Sequence, residues 1–397
     1  MVKKFLTVIV IPFILQLFVS SNALAEEEQP KIECEAFIIM EESSGRVLYE
    51  KNADVQMYPA SLTKVATAIY AIENANLEDV VTVSERARNA EGTRVYLEEG
   101  EQVPLKKLVQ GLLVNSGNDA GVAIAEHIDG SVGEFATQLN LYLKEIGLKD
   151  TYFKNPHGLF DPDHVTTAKD LAKITQYAVK NEEFRSIFGM KELKWKGKAW
   201  DTTIFTHHKL MRERPYEGVT GGKTGYVDES GNTLITTAKR GDLSVIVVVL
   251  KGDSQNTAYN DTVELLDYAF DNFKLTEIPA GKEFNQNQHT YTTTASYFVP
   301  LAHGEEINEQ VTEEGKLKVT VENQDFLATL PLKDESAEVV SSPPKEVAAT
   351  SLPKEEEKSS NPLNLLVIST LIFIGIVVIF IVSRKFSRNK KSRSLDR

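Results

Sequence analysis

Apolar residues recur with a helical period in some stretches of the chain and alternate in others, and the two patterns fall in separate blocks. In residues 58–75, Leu62, Val65, Ala66, Ile69 and Ile72 recur every three or four positions, which lays them along one face of a helix. The same spacing predicts helices over 105–114, 119–128, 132–146, 167–179 and 263–273. Strand patterns bracket these helices. Residues 36–40 and 46–49 flank Ser43-Ser44-Gly45 and predict a β-hairpin. Residues 223–227, 232–238 and 243–250 have strand composition, the last two joined by the turn Lys239-Arg240-Gly241-Asp242. A hairpin first, helices in the middle and strands with a helix last predict a mixed α/β (α+β) unit over 30–275. Its antiparallel sheet should bring the first and last strands together.

After Ile278 the texture changes. Residues 290–298, 316–321 and 326–332 alternate with no helical pattern between them, which predicts a small β-rich second domain over 278–333. Residues 334–362 are rich in Glu, Lys, Ser and Pro without apolar periodicity and predict a disordered or extended linker. Residues 363–382 then form a 20-residue run without charge, long enough as a helix to span the roughly 30 Å core of a bilayer. A buried core helix is the alternative. Against it, Arg384, Lys385, Arg388, Lys390, Lys391, Arg393 and Arg397 fill the segment 383–397, as a cytoplasmic tail requires.

The N-terminus predicts export. Lys3 and Lys4 precede an apolar run over 5–19, and Ala23-Leu24-Ala25 supplies a small-x-small cleavage site, so 1–25 reads as a signal peptide. An uncleaved membrane helix fits less well, because the run is short and Glu26-Glu27-Glu28 follows directly. The expected location is the outer face of a membrane, on a single C-terminal span.

Composition and charge narrow the partners. The formal charge is −13; the leader carries +2 and the tail +6, which leaves −21 on the part between. An acidic ectodomain disfavours nucleic acid. Cys34 is the sole cysteine, so no intramolecular disulfide forms and the fold must rest on its core. Cys34 is expected on a strand, without a catalytic role.

Three short motifs carry candidate chemistry. Ser61-Leu62-Thr63-Lys64 lies behind Pro59 at a helix start, and positions three apart share a helix face, so the hydroxyl and amine can meet. A lysine whose pKa is lowered by burial or nearby cations can deprotonate the serine. Ser116-Gly117-Asn118 sits between two helical stretches and can project a hydroxyl and an amide into a cleft. Lys223-Thr224-Gly225 opens a strand after Gly221-Gly222, offering a cation and a hydroxyl to a carboxylate. Gly225 leaves the backbone open to an extended peptide. Taken singly, each has an ordinary structural reading as a helix N-cap, a helix-helix turn or a β-turn. Their order, with spacings of 55 and 107 residues, is the set of active-site serine enzymes that react with penicillin.

Tyr58-Pro59-Ala60-Ser61-Leu62-Thr63-Lys64, Asn115-Ser116-Gly117-Asn118-Asp119-Ala120 and Gly222-Lys223-Thr224-Gly225-Tyr226 resemble the motifs of the low-molecular-mass penicillin-binding proteins. Asn155-Pro156-His157-Gly158-Leu159 is similar to a further segment of this D-alanyl-D-alanine carboxypeptidase (peptidase S11) family. The resemblance covers about 36–332. It implies a β-lactamase/transpeptidase-like fold, peptidoglycan stem peptides ending in D-Ala-D-Ala as substrate, and β-lactams as covalent inhibitors. It also implies Ser61, Lys64 and Ser116 as catalytic residues and Asn118, Lys223, Thr224 and Gly225 as substrate-binding residues.

No metal or other cofactor is expected. His157, His207, His208, Asp161, Asp163 and His164 could suggest zinc, but there is no His-Glu-x-x-His, and Asp161-Pro162-Asp163-His164 reads as a turn. A β-lactamase is the nearest enzymatic alternative, although no Glu-x-x-Leu-Asn equivalent lies between Ser116 and Lys223. An endopeptidase or transpeptidase acting on the same peptides, and a non-catalytic wall-binding scaffold, are the others.

Overall fold

The computed structural model describes residues 29–321 and 324–335. The expected leader, the basic tail, the apolar run at 363–382 and nearly all of the linker lie outside them. Among the described residues no helix is long and apolar enough to cross a membrane.

Five antiparallel strands make the central sheet, in the spatial order Val47–Lys51, Ala36–Glu41, Leu243–Gly252, Gly231–Arg240 and Val219–Val227. The first strand in sequence therefore pairs with the last, Ala36 opposite Leu250 and Met40 opposite Ile246. Both of these strands are apolar at nearly every position because both sheet faces are covered. Ile38, Met40, Ile246, Val248 and Leu250 point into one core, shared with Val65 and Ile69 of the helix Thr63–Asn74 and with Leu62 just before it. Phe37, Ile39, Val245, Val247 and Val249 point into the other, packed on Leu265, Leu266 and Ala269 of the helix Gln255–Asn272. The larger core continues into a helical lobe, where Leu108, Leu112, Ile124, Phe135 and Leu139 close around the helices Leu105–Val114, Asn118–Asp129 and Val132–Glu145. The site described below lies where this lobe meets the edge strand Val219–Val227.

Several elements depart from the sequence reading. The last helix begins at Gln255, capped by Ser254, and ends at Asn272, so Phe273 opens a strand, Phe273–Ile278, instead of closing the helix. Its first turns, Gln-Asn-Thr-Ala-Tyr-Asn-Asp, bury Ala258 and Tyr259 among polar neighbours, which blurs the apolar period. The stretch 290–298 is not one strand. It breaks into His289–Thr293 and Tyr297–Ala302, which pair with different strands, Gln324–Asp334 and Phe273–Ile278. The strand Ile307–Val311 and the hairpin Glu192–Lys196 with Asp201–Phe205 escape the pattern because each buries only one or two side chains per face. Cys34 lies on a bend just before the first strand. It is fully buried, its backbone N–H bonded to Asp261 at 2.7 Å.

The β-rich part has a small core of Ile278, Val299, Val311, Leu317 and Val319. Arg46, in the turn of the first hairpin, ties it to the sheet: its guanidinium donates to the Pro300 carbonyl and to the Glu305 carboxylate at 2.8 and 2.9 Å.

Candidate active site

Ser61 sits on a single 3₁₀ turn, Ala60–Leu62, that runs straight into the helix Thr63–Asn74. The tight entry is paid for by Ala60, a non-glycine residue at φ 48°. One turn on, Lys64 is fully buried, and its Nζ donates to Ser61 Oγ at 2.7 Å and to the His157 carbonyl at 2.7 Å. Burial, and after it the Lys223 charge, hold the Lys64 amine well below its ordinary pKa. An amine whose pKa is lowered in this way, set against a serine hydroxyl, is placed to act as its base.

The segment Asn155–Leu159 builds the acceptor for that amine. Asn155 Oδ1 accepts the backbone N–H of His157 and Gly158 at 3.2 and 2.7 Å, and Asn155 Nδ2 donates to the Leu159 carbonyl at 2.9 Å. The resulting turn aims the His157 carbonyl at Lys64. His164 braces the same helix start. Its Nδ1 accepts the Lys154 amide at 3.0 Å, so Nε2 carries the proton toward Thr63 Oγ1, 2.8 Å away. Burial lowers the His164 pKa to about 4, which keeps the ring neutral in this role.

Ser116 and Lys223 form the second half. Ser116 is held at φ 59° at the end of the helix Leu105–Val114, and Lys223 Nζ donates to its Oγ at 3.0 Å. Lys223 is 3 % exposed and also donates to the Thr224 carbonyl at 2.8 Å; burial lowers its pKa to about 7. Lys223 is not among the residues that line the cleft, whereas the next residues of its strand, Thr224, Gly225 and Tyr226, are. The cleft, about 340 Å³, is walled by Ser61, Ser116, Thr224, Tyr226, His207 and Tyr259, among others. Gly225 lets the strand approach: a Cβ there would lie 2.9 Å from Ser61 N and 3.0 Å from the Pro59 carbonyl.

Residues 23–254 match the sequence model of the peptidase S11 family, D-alanyl-D-alanine carboxypeptidase. The chain belongs to this family. It is 30 % identical over 364 residues to D-alanyl-D-alanine carboxypeptidase DacF of Bacillus subtilis, covering 86 % of this chain and 93 % of that protein. It is 32 % identical over 281 residues to DacA of Haemophilus influenzae, covering 66 % and 68 %. Among solved structures it resembles penicillin binding protein 5 of Haemophilus influenzae, with a TM-score of 0.68 and 27 % identity, over 77 % of this chain and 97 % of that one.

The structure brings Ser61, Lys64, Ser116, Lys223, Thr224 and Gly225 to one place. Asn118 is close but turned. Its Nδ2 donates to the Glu91 carbonyl at 2.6 Å, and its buried Oδ1 has no protein partner among the described residues. The histidines are dispersed. His157 and His164 stand behind Lys64 and Thr63, whereas His208 is buried against Thr236 Oγ1 at 2.8 Å.

Asp119 is the supporting residue that the motif reading passed over. Fully buried, its carboxylate accepts the backbone N–H of Val95, Leu97 and Ala120 at 3.0, 3.1 and 2.9 Å. The Asn118 amide donates to the Thr93 carbonyl at 2.7 Å, and Asn115 Nδ2 to the Arg94 carbonyl at 2.9 Å. Residues 93–97 are thereby strapped across the Ser116 loop. Its signal in the sequence is an acidic residue inside an otherwise apolar helix start.

Proposed function

We infer that this protein is a serine-type D-alanyl-D-alanine carboxypeptidase that removes the terminal D-alanine from peptidoglycan stem peptides. The observation that carries the inference is the fully buried Lys64 amine at 2.7 Å from Ser61 Oγ, with the cleft opening directly above the serine. The terminal carboxylate of a D-Ala-D-Ala peptide would rest on Thr224, above the Lys223 charge. Ser61 Oγ attacks the carbonyl between the two D-alanines as its proton passes to Lys64 Nζ. The backbone N–H groups of Ser61 and Tyr226 face the oxyanion. The carbon–nitrogen bond then breaks, and the leaving amine receives a proton through Ser116, which Lys223 holds in place; Asn118, whose Oδ1 has no protein partner among the described residues, is left to bind the substrate. Water, deprotonated by the same amine, hydrolyses the ester and restores Ser61. A β-lactam follows the first step and leaves a lasting acyl-enzyme.

The test uses the full chain with a pentapeptide ending in D-Ala-D-Ala. One equivalent of D-alanine should appear with the tetrapeptide, and penicillin should leave its adduct on Ser61 in mass spectra. Crosslinked dimer in place of tetrapeptide would assign transfer. Absence of both D-alanine and adduct would leave the wall-binding scaffold.

A pH dependence follows from Lys223, whose pKa near 7 leaves it neutral in the free enzyme above that pH. A carboxylate favours the charged amine, so binding above pH 7 takes up a proton. The Kd of a Ser61→Ala protein for the pentapeptide is therefore expected to rise by up to about tenfold per pH unit above about pH 7. A Kd that stays flat from about pH 6 to 9 would show that Lys223 contributes no charge to binding.

We also propose that the protein is exported and anchored, its catalytic part outside the cell and its tail within. The support is the leader at 1–25, the uncharged run at 363–382 and the basic residues after it.

A further inference from the structure

We propose that the groove between Tyr96 and Trp200 is a subsite for an N-acetylated hexosamine ring of a β-linked glycan strand. It lies beside the catalytic cleft and shares no lining residue with it. The two rings meet as a corner, centroids 4.9 Å apart and planes at 83°. The groove encloses about 510 Å³, and Arg88, Arg94 and Glu98 rim it. Arg88 Nε stands 3.1 Å from Glu98 Oε2, and the Arg94 guanidinium lies 5.2 Å from the Tyr96 centroid. An aromatic corner matches the C–H face of a pyranose. A guanidinium–carboxylate pair at the rim supplies both donors and acceptors for hydroxyl and acetamido groups.

Backbone geometry argues for a ligand here. Val95 and Leu97 are buried, and their amides converge on Asp119, which requires a left-handed residue between them; Tyr96 has φ 57°. Glycine would meet that need without steric cost. The position instead carries a large ring that is 49 % exposed, a combination that costs both strain and solvation. Trp200 comes from a different element, the turn between the strands Glu192–Lys196 and Asp201–Phe205, so the corner is not an accident of one loop.

Reach is consistent with the carboxypeptidase chemistry, on which this inference rests. Thr93 lines the catalytic cleft and its neighbour Arg94 lines the groove. With D-Ala-D-Ala in the cleft, the other three residues of a pentapeptide span at most about 11 Å. The three steps along the strap from Thr93 to Tyr96 have the same limit, so the groove is within reach of the sugar that bears the peptide.

The experiment compares a bare pentapeptide with the same peptide carried on the N-acetylglucosaminyl–N-acetylmuramyl disaccharide, using the full chain. The parent is expected to favour the disaccharide form by about tenfold in kcat/KM. Trp200→Ala and Tyr96→Ala should erase that preference through KM, with bare-peptide turnover and penicillin acylation held within about twofold. Equal parent values for the two substrates would overturn the proposal, as would variants that slow both substrates alike. If neither substrate loses D-alanine, the carboxypeptidase assignment fails, but the groove is still decided by fluorescence. Trp195 is fully buried, so Trp200 is the accessible one of the two tryptophans. Saturable quenching by the peptide-free disaccharide in the parent, absent in Tyr96→Ala, would sustain the subsite, and no quenching would remove it.

Discussion

A Ser61→Ala protein is expected to carry no penicillin adduct and to release D-alanine at least about 10⁴-fold more slowly than the parent. Lys64→Met should fall nearly as far, by about 10³-fold or more in the rate of acylation. The reason is that the two side chains act as one group. Lys64 Nζ lies 2.7 Å from Ser61 Oγ, and its other acceptor among the described residues is the His157 carbonyl. A serine without its base keeps the proton that blocks attack, and a base without its serine has no nucleophile to release. The double variant should therefore be no slower than Ser61→Ala alone.

Methionine is the informative replacement at Lys64. It fills the buried channel with a stem of similar length and removes a charge-bearing group from a fully buried position. The His157 carbonyl loses a donor, at a cost of about 1–3 kcal/mol, which leaves the protein folded for assay. Stopped-flow acylation by penicillin reads the first chemical step directly. If Lys64→Met is acylated at the parent rate, the proton from Ser61 goes elsewhere, and Lys64 is only a buried structural amine. Lys64→Arg makes a second comparison, because guanidinium keeps its proton and cannot serve as base.

How far the sequence reached can be seen from these residues. The helix that carries Lys64 and starts just behind Ser61 was legible because apolar residues repeat along one face of it, and a spacing of three brings the polar pair together. The antiparallel sheet with its first and last strands adjacent was legible from the order of patterns. What stayed hidden is chemistry that belongs to the backbone or to distant packing. Lys64 is oriented by a carbonyl, and every residue has a carbonyl, so nothing in the letters of Asn155-Pro156-His157 marks that role. Asp119 reads as one charge near a helix start, yet it gathers amides from 22 and 24 residues away. Lys223 reads as a cation offered to a carboxylate, and nothing in the letters shows that the folded chain buries it. In the β-rich part, strands such as Ile307–Val311 bury too few side chains to impose a period.

Gly158→Ala is the second large effect, and it arises at a position whose own chemistry is nil. Gly158 has φ 86°, and a Cβ added there would fall inside the Ala60 carbonyl group and 3.0 Å from Ser61 N. Both obstacles are main chain, so neither can swing away as a side chain would. Ala60 is itself at φ 48°, held there by the 3₁₀ turn that presents Ser61. Relief must come from displacing that turn or the Asn155–Leu159 loop, and either movement breaks the contact of Lys64 with Ser61 or with the His157 carbonyl. The expected result is a loss of about 3 kcal/mol in stability, with acylation slowed by about 10²-fold or more in protein that remains folded. Gly130→Ala supplies the control. Gly130 has φ 78° at the end of the helix Asn118–Asp129, with nothing within 4 Å of an added Cβ, so it measures the conformational cost alone. That cost is about 1–2 kcal/mol, with no change in acylation. Denaturant melts and penicillin acylation rates on the two variants separate the effects. Should Gly158→Ala match Gly130→Ala in both, the close approach of the Asn155–Leu159 loop to the nucleophile turn has no part in placing Ser61.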